Sequence, residues 1–160
     1  MSKTNSLHHL MCIEAAKKIH RGGFEGWHDH KYVAVELLTY GNEDPDVWGT
    51  NGASTTIVEV KTSRADFLRD RKKKCRQNPI EGMGNFRWYY ALEGIIKEEE
   101  LPENWGLVEA NETGKMVRLV RIAQYQESAS LGDISILCSI MRREGIKKQI
   151  FNYRKKNGTT

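Results

Sequence analysis

Hydrophobic residues recur at helical spacing near the start of the chain and then gather in short runs typical of strands. Ser6–Arg21 has a partial apolar stripe and is followed by Gly22 and Gly23, so the pattern predicts a first helix over this segment. After a polar loop, Tyr32–Tyr40 is rich in β-forming residues and contains one carboxylate, Glu36, which predicts a strand. The chain therefore begins with a helix and a strand.

A hairpin is the next predicted element. Short strand-like runs at Pro45–Asn51 and Ser54–Thr62 flank the dipeptide Asn51-Gly52, which is typical of two-residue hairpin turns. With such a turn, Thr50 lies opposite Ala53, and the partners of the earlier residues follow by counting back.

The hairpin register decides which polar side chains share a face. Counting back from the turn places Asp46 opposite Ile57, and the alternation of side chains puts Glu59 and Lys61 on that same face. Asp46 and Glu59 are then diagonal neighbours about 7–8 Å apart, a gap that long side chains can close. The other face is mostly valine and is available for the core.

The second half of the chain combines helices and strands. Ser63 and Asp66 have the S-x-x-D spacing of a helix N-terminus, which predicts a helix over Arg64–Arg76. Three strands and a mostly helical segment follow, at Phe86–Leu92, Trp105–Ala110, Met116–Ala123 and Asp133–Lys155. We therefore predict one α/β (α+β) domain over residues 1–160, with a basic C-terminal helix or tail at about 133–160.

Composition excludes several classes of protein. The chain is 39% hydrophobic and 29% charged, as in an ordinary globular domain rather than a disordered or collagen-like one. Its three cysteines are far apart and form no CxxC pair, which argues against a disulfide framework or a cysteine-rich zinc module. No apolar run is long enough for a membrane span and no secretory signal pattern is present, so we predict a cytoplasmic protein with no membrane association.

Charge is distributed unevenly along the chain. The net charge is only +4, but Arg64–Arg76 contains seven basic and two acidic residues, and Met141–Thr160 contains seven basic residues and one acidic residue. Two such segments suggest a polyanionic partner such as nucleic acid. Charge alone leaves the alternative open that these are solvated helix faces.

The predicted hairpin carries the candidate chemistry. Asp46, Glu59 and Lys61 are charged residues among apolar neighbours, where an unpaired charge is costly. One interpretation is an exposed ion pair between Glu59 and Lys61. The other is a site for a hard cation such as Mg²⁺, held by the two carboxylates, with Lys61 orienting water or stabilising developing charge.

Other metal-binding patterns are weak. His28 and His30 flank Asp29, but they lie in a loop without a third ligand at a suitable spacing, so a transition-metal site there is not favoured. No spacing in the sequence connects His8, His9 and Cys12 to these residues.

The motif around the hairpin resembles the PD-(D/E)XK nuclease superfamily. Pro45-Asp46 followed by Glu59-Val60-Lys61 matches the superfamily motif, and the predicted order of helix, strand, hairpin, helix and strand fits its fold. The run from Val58 to Lys72, which includes Ser-Arg-Ala-Asp-Phe-Leu-Arg-Asp-Arg-Lys, is similar to the MmcB-like group of DNA-repair proteins. The resemblance covers roughly residues 32–123. It departs from that group at 42–46, where Asn-Glu-Asp-Pro-Asp replaces the usual Gly-Arg-Arg-Ala-Asp.

This resemblance implies a restriction-endonuclease-like core, in which helices flank a central mixed sheet, and hydrolysis of DNA phosphodiester bonds. It implies Mg²⁺ or Mn²⁺ bound by Asp46 and Glu59, with Glu36 as a further ligand, directly or through water, and Lys61 as the catalytic lysine. The helix after the motif would bring basic side chains to the phosphates beside the scissile one, at Arg64, Arg69, Lys72, Lys73 and Arg76. Four of them, Arg69, Lys72, Lys73 and Arg76, have the i, i+3, i+4, i+7 spacing of one helix face.

Two questions of function and assembly stay open from the sequence. The alternative to a nuclease is a catalytically weak or inactive protein of the same fold that acts as a DNA-binding module or as an accessory or inhibitory partner of another protein. Short enzymes of this superfamily often form homodimers that treat both strands, which makes a homodimer one candidate assembly.

Overall fold

The fold is built on one mixed β-sheet with helices on both faces. The computed structural model describes residues 6–22, 26–27, 29–41 and 43–151. The elements in chain order are α1 (Leu7–Arg21), β1 (Tyr32–Val35), β2 (Val47–Thr50), β3 (Thr55–Lys61), α2 (Arg64–Asp70), α3 (Lys74–Gln77), β4 (Phe86–Leu92), β5 (Gly106–Ala110), β6 (Met116–Arg121) and α4 (Ser130–Arg143), with 3₁₀ turns at Pro79–Glu81 and Glu98–Glu100.

The strands of this sheet lie side by side in chain order, from β1 to β6. Strands β1, β2 and β3 are antiparallel, β3, β4 and β5 are parallel, and β5 and β6 are again antiparallel. The expected mixed α/β sheet flanked by helices is confirmed, and so is the order of helix, strand, hairpin, helix and strand.

The sheet separates two hydrophobic clusters. On one face, α1 packs its buried side chains, including Met11 and Ile19, against Val58 and Val60 of β3. On the other face, residues of α2 and α4 join β3 and β4, with Phe67, Ile57 and Tyr89 among the fully buried side chains. Because β3 is covered on both faces, charged residues on it need partners inside the protein.

Helix α1 begins and ends where the sequence predicts. The Ser6 hydroxyl accepts the His9 N–H at 3.2 Å, which satisfies one free donor of the first turn. Gly22 has a φ of 61°, a left-handed conformation that glycine adopts without strain, and its N–H donates to the Lys18 carbonyl. These caps satisfy backbone groups at both ends of α1.

The turn between β2 and β3 is longer than the sequence analysis predicted. Thr50 lies opposite Thr55 and Val47 opposite Val58, so residues 51–54 form the connection and the two-residue turn is wrong. The Asn51 side chain accepts the N–H groups of Ala53 and Ser54 at 2.9 and 3.1 Å, which holds the longer turn. Because the register moves by two residues, the side chains within β2 and β3 keep their predicted faces. Asp46, which precedes β2, instead contacts His8 of α1, whereas Glu59 and Lys61 contact the segment after β3.

The predicted basic helix over Arg64–Arg76 is divided into two helices. Ser63 caps α2 as expected, since its hydroxyl accepts the Asp66 N–H at 3.2 Å. Helix α2 ends at Asp70, however, and α3 begins only at Lys74. The Asp70 carboxylate binds the Arg76 guanidinium and the Tyr89 hydroxyl, so the chain turns inward there. The expectation that four basic residues of this segment share one helix face is therefore wrong.

The last helix is also shorter than predicted. It spans Ser130–Arg143 rather than Asp133–Lys155, and Gly145 follows with a φ of 71°. The predicted tail from residue 152 onward lies outside the described residues. Within the described ranges, no helix combines the length and apolarity required to cross a bilayer.

Candidate active site

Asp46 is fixed at the end of the β2–β3 hairpin that is remote from the turn. It directly precedes β2, and its Oδ2 atom accepts the Val60 N–H at 2.8 Å. This bond holds the carboxylate against β3, beside the residue that separates Glu59 from Lys61. Burial raises the pKa of Asp46, but the hydrogen bond with His8, the charge of Lys61 and the Val60 N–H lower it further, so the net shift is downward. Asp46 is therefore ionised at neutral pH.

Glu59 and Lys61 form a buried ion pair. The Lys61 Nζ atom lies 3.1 Å from Glu59 Oε2, and the two residues are 4% and 2% exposed. The interpretation of this pair as a surface ion pair is wrong because β3 is a central strand of the sheet. Burial lowers the pKa of Lys61, but the charges of Glu59, Asp70 and Asp46 outweigh it and the net shift is upward. Lys61 is thus a protonated cation at neutral pH rather than a base.

Two further cations reach Glu59 from the segment after α2. Lys73 Nζ lies 3.7 Å from Glu59 Oε2, and Arg76 Nη2 lies 3.3 Å from Glu59 Oε1. Oε1 itself is buried and accepts no hydrogen bond from the described groups. Burial raises the pKa of Glu59 to about 7, against the opposing charges of Arg76 and Lys61. Oε1 of Glu59 therefore has an ion contact with Arg76 but lacks a hydrogen bond from the described groups.

Arg76 is the centre of a buried charge network. Its guanidinium binds the carboxylates of Glu43 and Asp70, contacts Glu59, and stacks over the Trp105 ring at 4.5 Å from the centroid. The side chain is 1% exposed. Arg76 was predicted to contact nucleic acid, but its position buries the guanidinium under three carboxylates, so its role in this structure is internal.

The other predicted phosphate-binding residues differ in availability. Arg64 forms a bidentate ion pair with Glu100, at 2.6 and 2.5 Å. Lys73 is half exposed and binds Asp70 at 2.8 Å. Arg69 and Lys72 are exposed, and Arg69 has a 3.3 Å contact with Asp66. Arg69 and Lys72, with the outer part of Lys73, present positive charge at the surface near Lys61.

Glu36 lies next to Asp46, as the resemblance implied for a further ligand. It follows β1 with a φ of 50°, a strained conformation for glutamate, and its N–H donates to the Asp46 carbonyl at 2.8 Å. Its carboxylate lies 3.5 Å from His8 and 2.8 Å from His9. The strained backbone aims Glu36 back toward the Asp46 end of the sheet.

Sequence reasoning missed two residues of α1 that reach Asp46. His8 Nε2 lies 3.4 Å from Asp46 Oδ2, and Cys12 Sγ lies 3.6 Å from His8 Nδ1. One ligand atom from each of His8, Cys12 and Asp46 lies within 4.8 Å of the others. The spacing of four between His8 and Cys12 signals a shared helix face, but only the packing of α1 shows which carboxylate they meet.

The histidine pattern that was weighed from sequence does not coincide with this cluster. His30 is buried near the C-terminal end of α1, where its N–H bonds the Ile19 carbonyl at 2.9 Å. His28 lies outside the described residues.

The hydrogen bond with Asp46 raises the pKa of His8, and the charges of Asp46 and Glu36 act in the same direction against burial.

Asp70 makes stability depend on pH. Burial raises its pKa, but Arg76, Lys61 and the hydrogen bonds from Arg76 and Lys73 outweigh burial and hold it well below its usual range. A carboxylate with a depressed pKa stabilises the fold above its unfolded value, near 4, and this contribution is lost as pH falls through the folded value. Replacing Asp70 with Asn is expected to cost about 2 kcal/mol of unfolding free energy at pH 7 and less at pH 3. Urea unfolding of both proteins at the two pH values measures this, and an equal cost at both would contradict it.

Comparison with known proteins adds one structural neighbour. No family model matches the chain, and neither does any curated protein. Among solved structures, the chain is similar to the SPO1766 protein of unknown function from Silicibacter pomeroyi, with a TM-score of 0.60 and 19% identity. The match covers 94% of this chain and 100% of that one. At this identity the likeness concerns the fold alone.

Proposed function

We propose that the chain is a divalent-metal-dependent nuclease that hydrolyses DNA phosphodiester bonds and belongs to the PD-(D/E)XK superfamily, closest to the MmcB-like group. The observation that carries the proposal is the hydrogen bond between Asp46 and the Val60 N–H, at 2.8 Å. It brings Asp46 to the strand segment that carries Glu59 and Lys61. A motif spread over two strands is thereby gathered at one end of the sheet.

The donor type, three carboxylates, is that of a hard-cation site, and of the three only Asp46 belongs to a described group of ligand residues within 4.8 Å of one another, with His8 and Cys12. Asp46 and Glu36 are joined through their backbones and have partly exposed side chains, 21% and 43%, while Glu59 has a buried oxygen without a hydrogen bond. Carboxylate oxygens are the ligands that Mg²⁺ and Mn²⁺ prefer, and these cations keep water in their remaining positions. Asp46 and Glu59, with Glu36, would hold the cation. When bound, it would polarise the phosphoryl oxygen and neutralise developing charge.

The protein's own groups then have separate roles. The Lys61 ammonium, kept protonated by its carboxylate neighbours, supplies a fixed positive charge where negative charge develops on the phosphate. It can also donate a hydrogen bond that orients the attacking water. Arg69, Lys72 and Lys73 would contact neighbouring phosphates and place the strand, with an affinity that falls as salt rises.

The test is cleavage of supercoiled DNA, linear duplex, single-stranded DNA and RNA with Mg²⁺, Mn²⁺ or a chelator. We expect the wild type to cleave DNA only with metal, and Asp46→Asn to reduce the rate about 100-fold or more, since it removes a ligand charge while keeping an acceptor for the Val60 N–H. Asp29→Asn, an exposed carboxylate in the loop before β1, is the matched control and should cleave like the wild type. Absence of cleavage under every condition, or equal rates for Asp46→Asn and wild type, would overturn the proposal.

A second candidate function is DNA binding or protein interaction without efficient cleavage. The observation that favours it is the burial of Glu59 among Lys61, Lys73 and Arg76, which already neutralise its charge. In that case the wild type binds DNA with a steep salt dependence but does not cleave it, and Asp46→Asn leaves the affinity unchanged. If no DNA binding is measurable, the protein-partner form of this alternative is favoured.

A further inference from the structure

The α1 side of Asp46 contains a second group of ligand atoms that differs in chemistry from the carboxylate site. His8 and Cys12 lie one helical turn apart on α1, and Asp46 approaches them from the start of β2. The group offers an imidazole nitrogen, a thiol sulfur and a carboxylate oxygen. Nitrogen and sulfur ligands select borderline-soft cations such as Zn²⁺ rather than Mg²⁺.

Each close contact in this group matches the separation of neighbouring ligands in a tetrahedral site, although the two contacts use different nitrogens of His8. With bonds of about 2.0 Å to nitrogen and oxygen and about 2.3 Å to sulfur, neighbouring ligand atoms of a tetrahedral zinc site lie about 3.3–3.6 Å apart. His8 Nε2 and Asp46 Oδ2 are 3.4 Å apart, and Cys12 Sγ and His8 Nδ1 are 3.6 Å apart. Only one nitrogen of His8 can bind a given cation. One ligand atom from each of the three residues lies within 4.8 Å of the other two. A cation held by all three residues therefore requires their side chains to draw together around one nitrogen of His8.

The surroundings of His8 also match a metal-binding histidine. Its Nδ1 atom has Glu36 Oε1 at 3.5 Å and its Nε2 atom has Asp46 at 3.4 Å. If Nε2 binds the cation beside Asp46, Nδ1 keeps the Glu36 carboxylate as its partner, as metal-bound histidines usually do. His9 contacts the same Glu36 carboxylate at 2.8 Å and so restricts its orientation.

Access to the group comes from one side. The Cys12 side chain is fully buried, whereas those of His8 and Asp46 are 32% and 21% exposed. A cation would therefore enter between His8 and Asp46 and reach the sulfur last. Three protein ligands with solvent on the open side leave a fourth position for water, which is the pattern of zinc sites that bind an external ligand.

We propose that His8, Cys12 and Asp46 form a zinc site with one open position. The site does not depend on nuclease activity, because metal binding is measured without DNA and without cleavage. Asp46 is common to this site and to the proposed magnesium site. Zn²⁺ bound on the α1 side would therefore share the Asp46 carboxylate with the catalytic cation or displace that cation from it.

The test is metal binding to the full, metal-free chain. Co²⁺, as a spectroscopic substitute for Zn²⁺, should produce a thiolate-to-cobalt charge-transfer band and the visible absorption of a tetrahedral ion, and Zn²⁺ should displace it. Cys12→Ser should remove the charge-transfer band, while Cys138→Ser, at an exposed cysteine of α4, should keep it. His8→Ala should lower the Zn²⁺ affinity about 100-fold or more, and Glu36→Gln about 10-fold to 100-fold.

Several outcomes would overturn the zinc site. They are no Co²⁺ binding by the wild type, a band that persists in Cys12→Ser, or a band lost in Cys138→Ser. Because Cys12 is buried, circular dichroism must show that Cys12→Ser is folded, and His8→Ala at a partly exposed position gives a second reading if it is not. Zinc binding without DNA cleavage would uphold this inference and reject the nuclease, and cleavage without zinc binding would do the reverse.

Discussion

Replacing Arg76 with methionine is expected to lower the free energy of unfolding by about 4 kcal/mol. Methionine keeps much of the apolar contact with Trp105 but removes the cation shared by Glu43, Glu59 and Asp70. Those carboxylates are 4%, 2% and 2% exposed and cannot recover the lost interaction from water. Chemical denaturation at pH 7 measures the loss, which is a large share of the 5–15 kcal/mol typical of a domain.

The matched control for this prediction is Arg69→Met. Arg69 lies seven positions before Arg76, its side chain is 76% exposed, and its ion contact among the described residues is to Asp66 at 3.3 Å. Exposed pairs of this kind contribute little, so the change should stay within about 0.5 kcal/mol. If Arg76→Met were as stable as Arg69→Met, the buried network would not hold the segment after α2 against the sheet.

In the β2–β3 hairpin, the sequence pattern predicts the faces of the side chains but not the length of the turn. Alternation along β3 predicted that Glu59 and Lys61 share a face, and this is confirmed because the pleat has a period of two. The turn length was wrong because the Asn51 side chain accepts two N–H groups and stabilises a longer connection than Asn-Gly usually makes. The pairing of β2 with β3 is shifted by two residues from the predicted register, so the strand side chains still lie on their predicted faces.

The basic segment shows what local pattern omits. The sequence predicts that Lys72, Lys73 and Arg76 continue a helix face that begins at Arg69. In the structure, Asp70 accepts hydrogen bonds from Arg76 and from the Tyr89 hydroxyl. Tyr89 lies 19 residues after Asp70, and Arg76 also binds Glu43, 33 residues before it, so these long-range contacts outweigh helix propensity. A charge count along the chain therefore overstates the positive surface, since part of that charge is neutralised inside the protein.

The α1 cluster shows the same limit for the candidate site. Each member was visible in the sequence, and the spacing of His8 and Cys12 was suited to a shared face. Their nearness to Asp46 depends on how α1 packs across β2 and β3, through Met11 and Ile19. Side-chain spacing within an element is local information, whereas the meeting of two elements is set by tertiary packing.

Under the proposed nuclease function, replacing Lys61 with methionine is expected to reduce the rate constant of DNA cleavage about 100-fold to 1000-fold. Its ammonium lies 3.1 Å from Glu59 and 3.6 Å from Asp70, and these carboxylates with Asp46 keep it protonated. A fixed cation contributes mainly where charge develops during the reaction, so kcat should fall far more than KM changes. Single-turnover cleavage at saturating DNA, with DNA affinity measured separately, distinguishes the two effects.

Two controls separate this chemical role from a structural one. Lys115→Met removes an exposed lysine that contacts Glu14 at 3.7 Å, and it should leave both kcat and KM unchanged. Lys61→Met also leaves Glu59 and Asp70 with one cation fewer, so its unfolding free energy must be measured alongside its activity. If a folded Lys61→Met protein cleaved at the wild-type rate, Lys61 would serve only to balance the buried carboxylates. If kcat fell while DNA affinity was retained, the buried ammonium would act on the reacting phosphate, because a residue that only bound substrate would have changed KM instead.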